Sequence, residues 1–312
     1  MDPLIVFLDR ETLHATLRPP GFPHRYVEHE MTDTAQVAER LQGAAICITN
    51  KVRINGDALR QLPDLKLIAV AATGTDVIDK PAANAAGVTI VNIRNYAFNT
   101  VPEHVVALMF ALRRNLLAYA NDVRGGAWAK SRQFCFLDHP ISDIAGSTIG
   151  IVGYGAIGRA IAQRAEALGM RVLAHDTAPA DGLVDFETIL RESDVITLHV
   201  PLTEDTRHLI GAAELARMKP NAILINTARG GLVDEQALAD ALRAGTIAGA
   251  GFDVLTEEPP VHGNVLLDPG IPNLIITPHV AWASQEAMQI LADQLTDNIE
   301  AFMSGAARNV VM

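Results

Sequence analysis

Cysteine is scarce. Two thiols, Cys47 and Cys135, stand far apart in a chain of 312 residues. That number and spacing exclude a disulfide framework and a cysteine-based metal cluster, so no metal is expected; free thiols in a reducing compartment are. Positive charge is also in short supply. Lys and Arg number 25 against 36 Asp and Glu, for a net charge of −11. No Lys/Arg block interrupts that acidity, which argues against nucleic acid or an anionic membrane as a partner. It leaves an anionic small molecule admissible, because a few local cations can outweigh a distant excess. No apolar run approaches the length needed to span a bilayer. The chain opens Met1-Asp2-Pro3 and runs at once into Leu4–Leu8, which reads as a short strand rather than a secretory signal and points to the cytoplasm. Disorder is excluded too, since 49% of the residues are hydrophobic and only 20% charged.

What the chain has in quantity is alternation. Leu4–Leu8, Ala45–Thr49, Leu67–Ala71 and Val88–Val91 read as strands, with Ala35–Leu41, Ile54–Gln61 and Lys80–Ala86 as the helices between them. A long helix is expected over Val101–Tyr119, where Val105, Leu108, Met109, Leu112 and Leu116 form one stripe. The stretch Arg124–Ile144 reads as an irregular surface connection. A second array follows, with strands at Thr148–Val152, Arg171–His175, Val195–His199, Ala222–Asn226, Ala248–Asp253 and Leu274–Ile276. Strands separated by helical crossovers predict an α/β chain of two doubly wound parallel sheets. The tail Gln285–Met303 is helical by pattern and is expected to return to the first domain. The expected division is therefore residues 1–98 plus 284–312, and residues 99–283.

The most informative phrase is Ile149-Gly150-Ile151-Val152-Gly153-Tyr154-Gly155-Ala156-Ile157-Gly158. An apolar run feeds a Gly-x-Gly-x-x-Gly turn. Gly153 suits a tight bend, Gly155 a close approach of backbone to a pyrophosphate, and Gly158 the packing of helix on strand. The N–H groups at the helix start, Ala156 and Ile157 among them, face the anion. Asp176 ends the next apolar run and is placed to accept hydrogen bonds from an adenosine ribose. Its charge would repel a 2′-phosphate, and Thr177-Ala178-Pro179-Ala180 offers no arginine to welcome one. The cofactor expected is NAD.

A hydride carrier still needs a proton donor and a positive charge at the reacting carbonyl. Arg229, in Asn226-Thr227-Ala228-Arg229-Gly230-Gly231, directly follows a strand, where such sheets place their ligand crevice. Its planar fork suits a carboxylate and an adjacent carbonyl oxygen. His279, in Thr277-Pro278-His279-Val280, also follows a strand and is the side chain best matched to proton transfer near neutrality. Glu258, ahead of Pro259-Pro260, would favour an imidazolium if it stood beside His279. Singly, Arg229 reads as a surface arginine in a salt bridge, His279 as a capped structural histidine and Glu258 as a solvated loop acid. His104, His139, His175 and His199 read as structural.

Together, the glycine turn, Arg229, Glu258 and His279 closely resemble the D-isomer-specific 2-hydroxyacid dehydrogenases. The phrases Leu198-His199-Val200-Pro201-Leu202-Thr203 with Thr206, Gly251-Phe252-Asp253-Val254 and Pro278-His279 extend the likeness over nearly the whole chain. The resemblance implies a Rossmann NAD-binding domain and a flavodoxin-like substrate domain. It implies that His279 is the acid/base, Glu258 its partner, and Arg229 the clamp on carboxylate and carbonyl. Backbone N–H groups of Thr73 and Gly74 are implied to hold the other side of the carboxylate. Thr100, Val200, Pro201, Thr206, Thr227, Ala228, Arg229, Asp253 and His279 match positions that line the cofactor, Asp253 reaching the nicotinamide amide. Thr49-Asn50-Lys51-Val52, Leu65–Asp76, Arg94-Asn95-Tyr96 and Asp138-His139-Pro140-Ile141 look most like glycerate dehydrogenases, also called hydroxypyruvate reductases. Pro102 departs from the small residue usual there. A small 2-oxo or 2-hydroxy acid is the implied substrate: hydroxypyruvate, or glyoxylate, reduced to D-glycerate or glycolate. D-lactate and phosphoglycerate types, and a non-enzymatic NAD(H)-sensing corepressor, remain the alternatives. The segment from Val101 through Ile144 resembles a dimer arm, so a homodimer through the NAD-binding domain is expected.

Overall fold

A computed structural model describes residues 2–311. The chain divides into two compact units, residues 1–97 with 283–312, and residues 98–282.

The first unit holds β1 (Leu4–Phe7), β2 (Arg25–Glu28), α1 (Val37–Arg40), β3 (Ile46–Thr49), α2 (Gly56–Leu59), β4 (Leu67–Val70), α3 (Lys80–Ala85) and β5 (Thr89–Val91). Its sheet runs β2-β1-β3-β4-β5, all pairs parallel. This is the flavodoxin-like order, and it reverses between β1 and β3. Val6, Leu8, Cys47, Ile68 and Val70 are buried with the short helices on one face. The C-terminal helix Gln285–Met303 belongs to this unit, as expected, and buries Leu291, Leu295 and Ile299. Strand β2 was not foreseen. All four of its residues are exposed, so the apolar signal of a buried parallel strand is absent. The helices expected over Ala35–Leu41 and Ile54–Gln61 shorten to α1 and α2, and Thr34–Gln36 forms a tighter 3₁₀ turn.

The second unit holds α4 (Thr100–Arg113), α5 (Leu116–Arg124), α6 (Ala127–Lys130), β6 (Thr148–Val152), α7 (Ala156–Ala167), β7 (Arg171–His175), α8 (Phe186–Glu192), β8 (Val195–Leu198), α9 (Ala212–Leu215), β9 (Ile223–Asn226), α10 (Glu235–Arg243), β10 (Gly249–Phe252) and β11 (Leu274–Ile276). The parallel sheet runs β11-β10-β9-β8-β6-β7. All six strands stand where the apolar runs predicted them. The order reverses at β6, whose neighbours are β7 and β8, and β7 is an edge. The helix expected over Val101–Tyr119 is two helices. Asn115 adopts φ 49°, a left-handed conformation that ends α4, and its Nδ2 donates to Pro140 O at 2.6 Å. Asn is one of the few residues that visits that region cheaply. The stripe behaves accordingly: Val105, Leu108, Met109 and Leu112 are buried, whereas Leu116, past the break, is 53% exposed.

Candidate active site

The glycine turn lies between β6 and α7. Gly153 has φ 95°, and a Cβ built there would meet His199 O at 2.5 Å. A Cβ at Gly158 would meet Gly153 O at 2.2 Å, so only glycine lets α7 close on the turn. Gly155 differs from both. No protein atom lies within 4 Å of its Cβ position, which opens into free space before the first turn of α7. This is the cradle a dinucleotide phosphate requires: bare backbone, open room and the N-terminal N–H groups of a twelve-residue helix. Ala156 is exposed and Ile157 half-buried at that helix start. Asp176, past the end of β7, accepts from Tyr154 N at 2.7 Å and Ala178 N at 3.0 Å. Those backbone N–H groups, Ala178's first, hold its carboxyl below the ordinary range, so it stays anionic.

The other walls of this strand-end region are built from short self-closing loops. Val200 Cγ1 approaches the Cβ position of Gly153. Thr206 Oγ1 donates to Pro201 O at 2.7 Å, folding the loop after β8. His199 Nε2 faces Thr197 Oγ1 at 2.8 Å, and burial pushes its pKa down to about 3, so the ring is neutral. After β9, the buried Asn226 donates to Arg229 O at 2.8 Å and accepts from Ala228 N at 3.0 Å. That clasp sets the turn from which Arg229 projects, half-buried, its Nη1 donating to Ala228 O at 2.7 Å. Thr227 Oγ1 is buried with no partner among the described residues. Gly230 brings this turn against the loop after β10, since a Cβ there would meet Leu255 C at 2.0 Å.

That second loop carries Glu258. Its Oε1 accepts from Leu255 N at 2.8 Å, and its Oε2 lies 2.6 Å from His279 Nδ1. A carboxylate only accepts, so Nδ1 carries a hydrogen and Nε2 is the nitrogen left for chemistry. His279 itself has φ 55°. A left-handed histidine costs roughly 1–2 kcal/mol and needs external support. Asp253 supplies it: its carboxylate is buried and accepts from Val280 N at 2.9 Å, Ala281 N at 2.8 Å and Thr277 Oγ1 at 2.5 Å. Its carbonyl accepts from His279 N at 2.8 Å. Trp282 Nε1 closes the loop on His279 O at 2.9 Å. Helix α4 adds two contacts from one face: Thr100 Oγ1 donates to Ala281 O at 2.8 Å, and His104 Nε2 meets Thr277 Oγ1 at 3.0 Å.

Of the expected catalytic residues, then, Glu258 and His279 are in direct contact. Gly153, Gly155 and Gly158 form one turn, and Asp176 accepts from Tyr154 N within it. Thr100 and Asp253, expected to line a cofactor, also spend polar groups on the His279 loop. Thr73 and Gly74 belong to the first unit, in the bend after β4. Thr73 Oγ1 donates to Ile93 O at 2.7 Å, and Thr73 O accepts from Asn92 Nδ2 at 2.8 Å. Sequence reasoning read His104 as structural and gave Thr277 and Asn226 no role of their own. The clue available for the first was its spacing of four from Thr100, which puts both on one helix face.

Known proteins agree with this geometry. Residues 106–281 match the family model described as D-isomer specific 2-hydroxyacid dehydrogenase, NAD binding domain. A glycerate dehydrogenase of Methylorubrum extorquens is 69% identical over 98% of this chain and 98% of its own. A hydroxypyruvate reductase of Blautia hydrogenotrophica is 36% identical over 92% of this chain and 90% of its own. A solved NADPH-dependent glyoxylate/hydroxypyruvate reductase of Sinorhizobium meliloti superposes with TM-score 0.84 at 30% identity, covering 99% of this chain and 97% of that one. The chain belongs to the D-isomer specific 2-hydroxyacid dehydrogenase family.

Proposed function

We propose that this chain is an NAD-dependent oxidoreductase reducing hydroxypyruvate to D-glycerate, with glyoxylate as a smaller substrate. The observation that carries the reading is the 2.6 Å contact of His279 Nδ1 with Glu258, which dedicates Nε2 to a substrate oxygen. A nicotinamide dinucleotide bound at the Gly153–Gly158 turn supplies or accepts the hydride. Its phosphates would rest on the backbone of Gly155, Ala156 and Ile157. Val200, Pro201, Thr206, Thr227 and Ala228 would flank its nicotinamide side.

His279 delivers its Nε2 proton to the carbonyl oxygen during reduction and removes it in the reverse direction. Glu258, 2.6 Å from Nδ1, fixes the orientation of the ring that delivers that proton. The guanidinium of Arg229 grips the substrate carboxylate and polarises the carbonyl. For Thr73 and Gly74, in the first unit, the reading is carboxylate binding through their backbone N–H groups. The glycerate dehydrogenase at 69% identity favours hydroxypyruvate over other 2-oxo acids. Steady-state rates with hydroxypyruvate, glyoxylate, pyruvate and a bulky branched 2-oxo acid test the choice. Hydroxypyruvate must have the highest kcat/KM, and a preference for pyruvate would transfer the reading to a D-lactate type.

NADH is preferred over NADPH in this reading, because the anionic Asp176 stands where a 2′-phosphate would need a cation. Asp176→Ser should narrow that preference, measured as the ratio of kcat/KM for the two cofactors. A homodimer is proposed on the apolar surface of the second unit. Leu116, Leu117, Trp128, Phe134, Leu137 and Ile141 are all exposed between residues 116 and 141, a concentration of apolar surface that a second copy would cover. Sedimentation equilibrium tests it, and a monomer at micromolar concentration would end it. Among the described residues no helix is long and apolar enough to cross a membrane, and no cluster suited to a metal ion occurs.

A further inference from the structure

We propose that His104 is a positioning residue for His279, acting from helix α4 through Thr277 and Asp253. The proposal rests on His279 being the proton donor. The chain of contacts has a fixed polarity. Thr277 Oγ1 lies 2.5 Å from Asp253 Oδ1. The buried carboxylate can only accept there, so the single hydroxyl proton of Thr277 is committed to it. The hydroxyl oxygen is then an acceptor toward His104 Nε2 at 3.0 Å, and Nε2 must carry a hydrogen. His104 Nε2 also lies 3.8 Å from Asp253 Oδ1. The same Oδ1 accepts from Val280 N, Oδ2 accepts from Ala281 N, and the Asp253 carbonyl accepts from His279 N.

Each link removes a freedom from the residue at the end. The imidazole of His279 sits on a backbone that would leave its left-handed conformation if unsupported. Asp253 supports that backbone, Thr277 fixes the rotamer of Asp253, and His104 fixes the rotamer of Thr277. Thr100, one helical turn before His104, takes Ala281 O from the same face of α4. Helix α4 thereby serves as a rigid bar against which the loop from Thr277 to Trp282 is indexed. Buried networks of this kind specify one arrangement when every member is satisfied. His104 is 21% exposed at its side chain, whereas Asp253 at the centre of the network is fully buried.

The test uses the full-length protein carrying His104→Ala and His104→Gln. Gln retains an N–H donor near the Nε2 position; Ala does not. His104→Ala should lower kcat about 10- to 100-fold, the loss that follows from a small misplacement of a reacting group. NADH affinity, read by fluorescence, should stay within about threefold, under 1 kcal/mol. His104→Gln should recover most of kcat. The imidazole ¹⁵N resonances of His279, assigned by their disappearance in His279→Asn, should shift in His104→Ala and return in His104→Gln. Should His104→Ala fail to fold, Thr277→Val against Thr277→Ser poses the same question. An unchanged kcat with unshifted resonances in the Ala variant overturns the proposal. So does a Gln variant as slow as Ala. A wild-type protein that turns over no 2-oxo acid, but whose His279 resonances still move in His104→Ala, would sustain the positioning role and remove the dehydrogenase reading alone.

Discussion

Each of the two units contains a parallel sheet whose strand order reverses once, and the two reversals are treated in opposite ways. In the first unit the reversal lies between β1 and β3. There the chain provides its own anion: Asp9, buried, accepts from Asn50 N at 2.9 Å and Lys51 N at 2.6 Å. Burial raises its carboxyl above the usual range even though these N–H groups favour the charged form. In the second unit the reversal lies at β6, and the N–H groups of the following helix start face free space beside Gly155. The fold offers a strand-end crevice in both cases. A side chain fills the first crevice, and a glycine leaves the second open.

The largest effect expected follows from the chemistry at the open end. His279→Asn should lower kcat/KM for the 2-oxo acid about 10²- to 10⁴-fold, the range for a lost general acid, with NADH binding little changed. Arg229→Lys keeps the charge and loses the fork, and should cost about 10²-fold, as for a missing transition-state donor. Equal losses of NADH affinity in both variants would show that the residues hold the cofactor instead. At the filled end the cost should fall on stability. Asp9→Ala removes the acceptor of the buried Asn50 N–H and of the Lys51 N–H and should lower unfolding free energy by about 1–3 kcal/mol, read from urea midpoints. A midpoint within error of wild type would mean that water replaces the carboxylate and that the two reversals differ less than described.

A pH measurement sharpens the same contrast. His199 lies at the open reversal, on the end of β8, and is held neutral with a pKa of about 3. In the unfolded chain it titrates near 6.5. Below that value the unfolded state binds a proton that the folded state refuses, so stability falls as pH falls. From pH 7 to pH 5 the loss attributable to this ring is about 2 kcal/mol. That is an upper figure, since the ring keeps a partly exposed edge. His199→Gln should flatten the decline between those pH values relative to wild type. Parallel declines in the two proteins would mean that His199 accepts its proton in the folded state.

The parts of this molecule legible in sequence are those where one residue type has one physical use. The six strands of the second sheet are buried apolar runs closed by turn residues. The glycine turn is readable because Gly153 and Gly158 tolerate no Cβ. Glu258 and His279 lie twenty-one residues apart and could be paired through resemblance but not through spacing. What escaped notice has no such signature. Strand β2 is exposed on every residue and pairs through its backbone with β1. The break at Asn115 depends on a backbone angle that an apolar stripe cannot reveal. The Asp253 network needs three segments, at 100–104, 253 and 277–282, whose proximity only the folded sheet creates.

The smallest effect expected discriminates best between a glycine that builds the turn and one that leaves room for a ligand. Gly155→Ala adds a methyl group that meets no protein atom within 4 Å, and φ −71° at that residue is ordinary for alanine. Thermal stability without cofactor should therefore be unchanged or slightly higher, because alanine loses less chain entropy on folding than glycine. The methyl would stand where a phosphate approaches the backbone, so NADH affinity should fall about tenfold, or about 1.4 kcal/mol. Gly158→Ala reverses both terms: its methyl would lie 2.2 Å from Gly153 O, and the apo-protein itself should lose stability. If Gly155→Ala binds NADH as wild type does, the open space beside Gly155 is not where the pyrophosphate lies. The contrast between a filled and an open reversal would then have no functional meaning.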